Sequence, residues 1–364
     1  MPTNKGNTRT FSMITKFVAI LMLLTSTSLM ASGGSGEEYN AGETIMHHIS
    51  DSHEWHFIDY AGDDGEMHSV SIPLPVILWH QGQGLKVFSS SKFHHGTEAH
   101  DGYIDDHGEI KYVGDGTIEN ASTEGVIDLS ITKNVVTIFI VSILVLWMFI
   151  SIARSYARKP NSAPKGLASF FEPLIIFIRD DIALAVIGEK HYKKFMPFLL
   201  SVFFFIWIAN MLGLVPFIPG GANMTGNIAV TLVLAAITFV IILVNSNKHY
   251  WQHVLAMPGV PGWLLVILTP IELLGVFLKP AILCLRLFAN IMAGHITILA
   301  FMSLIFIMGK MGAEPVIGYG TGVVAVLLSI IVSILELLVA FLQAFIFTLL
   351  TATYFASATE EAHH

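Results

Sequence analysis

Two uninterrupted apolar stretches near the C-terminus limit what this chain can fold into more than any other feature. Trp263–Met308 runs for 46 residues and Gly322–Ala358 for 37. As α-helices at 1.5 Å per residue they are roughly 69 Å and 56 Å long. A hydrocarbon layer of ~30 Å takes about 20 residues. Neither stretch stands upright across it as a straight rod, so each must be strongly tilted, bent or broken. Glu272, Lys279, Arg286, Glu336 and Gln343 lie inside them. Charge in lipid costs several kcal/mol, so these segments face protein or water along part of their surface.

Helical phase sorts those residues. Arg286 and Asn290 lie about 40° apart, and Glu272, fourteen residues earlier, returns to within about 40° of the same face. Glu336 and Gln343, seven apart, share one face of the last helix. His295, nine residues after Arg286, lies about 180° round and is expected to face a different partner.

The composition agrees. Of 364 residues, 54% are apolar and 13% are charged, where an ordinary soluble domain has about 25% charged. This excludes a wholly soluble chain, a disordered one and a nucleic-acid binder of the basic-patch kind. A single cysteine excludes a disulfide scaffold and any multi-cysteine metal site. The net charge of −8 averages unlike parts: −15 over residues 33–132, +3 over 1–32 and +4 over 133–364. Ten of the 16 histidines also fall in 33–132.

The organisation follows. Residues 1–32 read as a signal peptide, with Lys5, Arg9 and Lys16, an apolar run Phe17–Leu24, and cleavage expected near Ala31. Residues 33–132 read as an acidic, His-rich exported domain, partly β at Val70–Trp79, Leu85–Phe88 and Glu109–Val113. Residues 133–364 form the membrane domain, with spans at about 134–153, 195–217, 227–246, 263–308 and 319–358. Residues 167–194 suit an amphipathic helix at the interface. Pro216, Pro219, Gly220 and Gly221 mark an outer turn. Arg154, Arg158 and Lys159 follow the first span, and the positive-inside rule places that end in the cytoplasm. The fold class is thus an all-α polytopic membrane protein with five membrane helices, the last two long and tilted, and a small partly β N-terminal domain.

Leu285-Arg286-Leu287-Phe288-Ala289-Asn290-Ile291-Met292-Ala293-Gly294-His295 resembles the signature of subunit a of F-type ATP synthases. The likeness extends to Glu272–Gly275, Lys279-Pro280, Thr225–Leu234 and Leu342–Phe347, and covers roughly residues 165–360. The exported domain lies outside the common family pattern. The resemblance implies a proton-translocating stator beside a ring of c subunits, with two aqueous half-channels that load and unload the ring carboxyl groups. Arg286 matches the essential arginine. A guanidinium stays protonated and cannot relay a proton, but it can lower the pKa of a ring carboxylate and separate the channels.

Asn290 and Gln343 match polar positions near the arginine, either ordering water or simply bonding helix to helix. Glu272, His295 and Glu336 match ionisable positions near the exported-side channel. The acid and the imidazole at 295 and 336 are exchanged relative to the well-known bacterial arrangement, as in the mitochondrial form. This implies that the two side chains meet, as a relay or as a static ion pair. Lys279 is expected to reach a helix break or the interface, and Cys284 to be packing.

The implied partners are c-ring subunits, peripheral-stalk b subunits, the rest of the synthase, lipid and protons. No cofactor and no metal are expected, and the location implied is a bacterial inner membrane with the C-terminus cytoplasmic. No phosphate-binding loop is present, so ATP chemistry belongs to partner chains. The alternative is a stand-alone proton or metal-ion transporter. It would draw on the histidine cluster but lacks the paired repeats usual in carriers.

Overall fold

A computed structural model describes residues 40–61, 67–94, 96, 98–106, 108–114, 121–158, 165–215, 221–257, 259–310 and 313–360. The expected signal peptide, Lys159, the Pro216–Gly220 part of the outer turn and the terminal histidines lie outside the described residues. The chain divides into two compact units. One contains Ser52–Ser130 with Phe306–Gly320, and the other contains Ala41–Asp51, Ile131–Ile305 and the chain from Thr321 onward.

The N-terminal unit holds seven short strands among its described residues: β1 (Glu54–Ala61), β2 (Met67–Pro73), β3 (Pro75–His80), β4 (Gly84–Ser89), β5 (Tyr103–Asp106), β6 (Glu109–Tyr112) and β7 (Val126–Asp128). β1 pairs with β2, and β5 with β6, as antiparallel ribbons; β3 is the centre of a three-stranded sheet in the order β4-β3-β7. The expected strand over Val70–Trp79 is broken at Leu74. Pro73 and Pro75 flank that residue and have no N–H to continue a ladder. Leu74 instead donates to the His53 carbonyl at 3.2 Å and to Ser90 Oγ at 3.0 Å. Alternation in β3 sends Val76 and Leu78 inward onto Phe93, Tyr103 and Ile110.

His53 lies at the centre of this unit. It is buried, with Nδ1 3.2 Å from Asp105 Oδ2 and Nε2 2.8 Å from Asp128 Oδ2. Burial alone pushes the imidazole down, but the two carboxylates overcome it and raise its pKa to about 9.

The helical unit opens with α1 (Ala41–Ile49). Then come α2 (Lys133–Arg158), α3 (Leu167–Phe177) running on as a π-helical stretch over Ile178–Ile187, α4 (Tyr192–Gly213), α5 (Ile228–Asn245), α6 (Lys248–Leu255), α7 (Gly262–Met308) and α8 (Pro315–Thr359). Five of these, α2, α4, α5, α7 and α8, are long and apolar enough to cross a membrane. Each overlaps one expected span.

α7 and α8 are unbroken at 47 and 45 residues. Of the expected alternatives, a chain break is therefore not the one adopted. Pro270 and Pro280 stay inside α7, although each removes the N–H that would bond the carbonyl four residues earlier. Of the two places expected for Lys279, a helix break or the interface, the break is absent, and its Nζ lies 5.5 Å above the Tyr354 ring.

α4 supplies the middle of the core. Phe195, Leu199, Val202, Ile206 and Ala209 recur every three or four residues and are buried. They pack with Val141, Val145 and Met148 of α2, Ile178 and Ile182 of the π-helical stretch, and Phe347 and Phe355 of α8. Phe195 stacks on Phe355 with ring centroids 4.3 Å apart. Only Leu283 and Leu287 of α7 join this cluster, so most of α7 is left to lipid or to a partner.

Asp51 ties the ends of three segments. Its carboxylate accepts from Thr132 Oγ1 at 2.9 Å, from the Asn134 N–H at 3.2 Å and from Asn227 Nδ2 at 3.4 Å. It thus places a negative charge at the N-terminus of α2, where the helix dipole favours one.

The His53 clasp carries a pH signature. Its folded-state pKa is raised above the ordinary value of 6.5. Its stabilisation is therefore complete below about pH 6.5 and disappears as the pH rises through about 9. The full shift corresponds to about 3 kcal/mol. Calorimetry of the full chain is expected to show the β unit melting at lower temperature at pH 10 than at pH 6.5. His53→Gln is expected to flatten that dependence.

Candidate functional site

The site lies along the α7–α8 hairpin. In an antiparallel pair, residues nearer the turn meet residues nearer the turn. His295 therefore faces Glu336, with Nε2 3.7 Å from Oε1. Farther from the turn, Asn290 Nδ2 donates to Gln343 Oε1 at 2.9 Å. Helical phase set His295 toward a partner different from that of Arg286, and His295 meets Glu336 while Arg286 has no hydrogen bond or ion pair among the described residues. Asn290, about 140° from His295 on α7, also reaches α8, through Gln343.

Glu336 is buried, and neither carboxylate oxygen has a hydrogen-bond partner among the described residues. The 3.7 Å to His295 is too long for a hydrogen bond. Gly294 makes room for this carboxylate. A Cβ there would stand 2.6 Å from Glu336 Oε1 and 2.8 Å from Cδ.

α4 closes the other side. A Cβ at Gly213 would stand 3.8 Å from His295 Nε2. One turn earlier, Asn210 accepts from Thr225 Oγ1 at 2.6 Å and donates to the Ala340 carbonyl at 3.3 Å. Asn210, Thr225 and Asp51 were missed in the sequence. An amide inside an otherwise apolar span is a readable signal, and Asn210 had it; Asp51 had none.

Arg286 behaves differently. It is exposed along α7 and makes no hydrogen bond or ion pair among the described residues. Asn290, one turn on, is also exposed on its outer side. A permanent cation without a carboxylate partner, midway along a membrane helix, needs an anion from outside the chain or access to water.

Glu272 stands apart from His295 and Glu336. Along an unbroken α7, 23 residues separate Glu272 from His295, roughly 34 Å. Glu272 lies instead by α6. There burial pushes the Tyr250 phenol up, and the Glu272 charge adds to that effect. Cys284 is buried with Sγ 3.5 Å from Thr231 Oγ1.

Among the described residues, the histidines of the N-terminal unit do not converge. His53 is held by two carboxylates and His80 Nδ1 pairs with the Tyr103 hydroxyl at 2.8 Å, while His94 is exposed. Among the described residues no three His, Cys, Asp or Glu side chains form a group that could hold a metal. The side chains of His47, His56, His68, His95 and His107 lie outside the described residues.

Five apolar helices, a buried acid–imidazole pair and a lone exposed arginine define a multi-pass membrane protein with an ionisable site inside its spans. The model of the ATP synthase A chain matches residues 135–356, and a domain of unknown function matches residues 44–129. The chain belongs to the ATP synthase A chain family. It is 43% identical over 247 residues to ATP synthase subunit a of Chlorobium phaeobacteroides, covering 66% of this chain and 68% of that one. It is 37% identical over 341 residues to ATP synthase subunit a 2 of Chlorobium luteolum, covering 90% and 81%. It is 36% identical over 353 residues to ATP synthase subunit a of Pelodictyon phaeoclathratiforme, covering 95% and 84%. The last two alignments take in most of the N-terminal unit, so this unit is shared with some relatives although the family model starts after it.

Gly294→Ala is expected to displace the Glu336 carboxylate, because the new methyl overlaps it and the long side chain yields first. ATP-driven proton pumping in membrane vesicles should fall several-fold with the chain still assembled. Gly213→Ala, whose methyl meets only ordinary contacts at 3.5 and 3.8 Å, should pump nearly as before.

Proposed function

We propose that this chain is the proton-translocating stator subunit of a rotary F-type ATP synthase. The observation that carries the reading is Arg286: a permanent cation, exposed midway along α7 and without a carboxylate partner among the described residues. Such a group suits an acidic side chain that arrives and leaves on another protein, here the ring of c subunits. Held there, the guanidinium favours the ionised carboxylate and lowers its pKa. It also opposes proton passage along the helix, and so separates two water paths.

One path runs from Asn227 and Thr225 past Asn210 to His295 and Glu336. An acid and an imidazole side by side pass protons near neutral pH, and a rotation of the Glu336 side chain closes the gap between them. The other path opens at the far end of α7, where Glu272 stands. Asn290, bonded to Gln343, fixes the two helices next to Arg286. ATP chemistry lies on partner chains, and peripheral-stalk b subunits hold the stator. Residues 1–32 are a signal peptide, 33–132 an exported periplasmic domain, and the C-terminus is cytoplasmic in the bacterial inner membrane.

The test replaces Arg286 with Ala and follows ATP-driven proton pumping in vesicles. Pumping is expected to vanish, and normal coupled pumping would overturn the reading. For the paired residues, His295→Glu alone is expected to lose most pumping. Adding Glu336→His should restore part of it, because the pair is re-formed with its members exchanged.

A further inference from the structure

The three-stranded sheet of the N-terminal unit is apolar on both faces. The inner face carries Val76 and Leu78 into the core. The outer face sets Trp79 opposite Leu85 on one side and Ile127 on the other, with Val87 opposite Ile77. Leu129 continues this row, its N–H donating to the Ile77 carbonyl at 2.9 Å. Leu85 and Val87 are each 62% exposed, Leu129 59%, Ile127 51% and Trp79 44%. These side chains form one cross-strand patch, and no charged residue belongs to the row. An exposed contiguous apolar patch of this kind marks a protein or membrane interaction site.

We propose that this sheet face rests on the lipid bilayer, with Trp79 at the level of the headgroups. Two observations favour lipid. First, the patch is chained to the membrane. Leu129 precedes the start of the α2 span at Lys133 by four residues, which reach at most about 14 Å when extended. Second, the same compact unit contains residues 306–320, the ends of α7 and α8 and the turn between them. There Ile307, Met308, Val316 and Tyr319 are exposed as well. The apolar row and the ends of two membrane-spanning helices thus belong to one compact unit.

A tryptophan in such a position is the residue type enriched at membrane interfaces. The acidic balance of residues 33–132 makes attraction to anionic lipid a poor source of binding, so the contact rests on apolar burial. The inference does not depend on the proposed motor function or on which face of the membrane bears the unit.

The experiment places an environment-sensitive fluorophore at Val87→Cys in the full chain, reconstituted in phosphatidylcholine bilayers. Glu109→Cys, exposed on the β5–β6 ribbon and no member of the row, serves as control. The label at 87 is expected to emit at shorter wavelength and to be quenched several-fold more by nitroxide-bearing lipid than by aqueous iodide. The label at 109 should show the reverse. Quenching at 87 by iodide as strong as at 109 would overturn the proposal. So would shielding from both quenchers, which would mean that protein covers the face. If Val87→Cys does not fold, Leu85→Cys reports on the same row.

Discussion

A carboxyl group within a membrane-spanning helix is tolerated only where the protein shapes a place for it. Here that place is a single point of close approach. Gly294 lacks the side chain that would collide with Glu336, His295 presents an imidazole nitrogen at 3.7 Å, and α4 passes behind with Asn210 and Gly213. The Asn290–Gln343 bond fixes the register of the same hairpin at the level below. Loss of that register would leave Glu336 facing lipid, at a cost of several kcal/mol. The rest of the helical unit serves to hold this alignment. The Phe195–Phe355 stack and the α4 stripe clamp α8, while α7 is left largely uncovered.

That uncovered surface makes sense of Arg286. Glu336 is inward and buried, and Arg286 is outward and exposed. An arginine that paired with an acid of its own chain would be neutralised and held. Leaving it free keeps it available to a carboxylate that comes and goes. On the proposed reading, the division of α7 into a packed flank and a bare flank is the division between fixed stator and moving ring.

Much of this was legible in the sequence because it depends on local regularities. Apolar runs of 46 and 37 residues identify two long helices with few other possibilities, and the signature around Arg286 points to the hairpin. β-type residues between Gly, Ser and Asp marked β3, β4, β6 and part of β2, but not β1, β5 or β7. What was not legible depends on contacts distant in sequence. Asp51 reaches Asn227 across 176 positions, and no spacing rule anticipates that. The separation of Glu272 from His295 was not legible for a different reason: phase on a helical wheel says nothing of height, and roughly 34 Å along the axis separate the two. The break offered as one alternative beside Lys279 is not adopted, because proline can be carried within a long helix when neighbours and flanking turns support it.

The central claim is that the fixed charge of Arg286 keeps two water paths apart. Its most direct test is passive proton flux through the membrane sector in vesicles stripped of the catalytic part, driven by an imposed potassium diffusion potential. With Arg286→Ala, the account predicts that passive flux rises above that of the unaltered protein, because the barrier between the paths is gone. A flux unchanged by the substitution would contradict it.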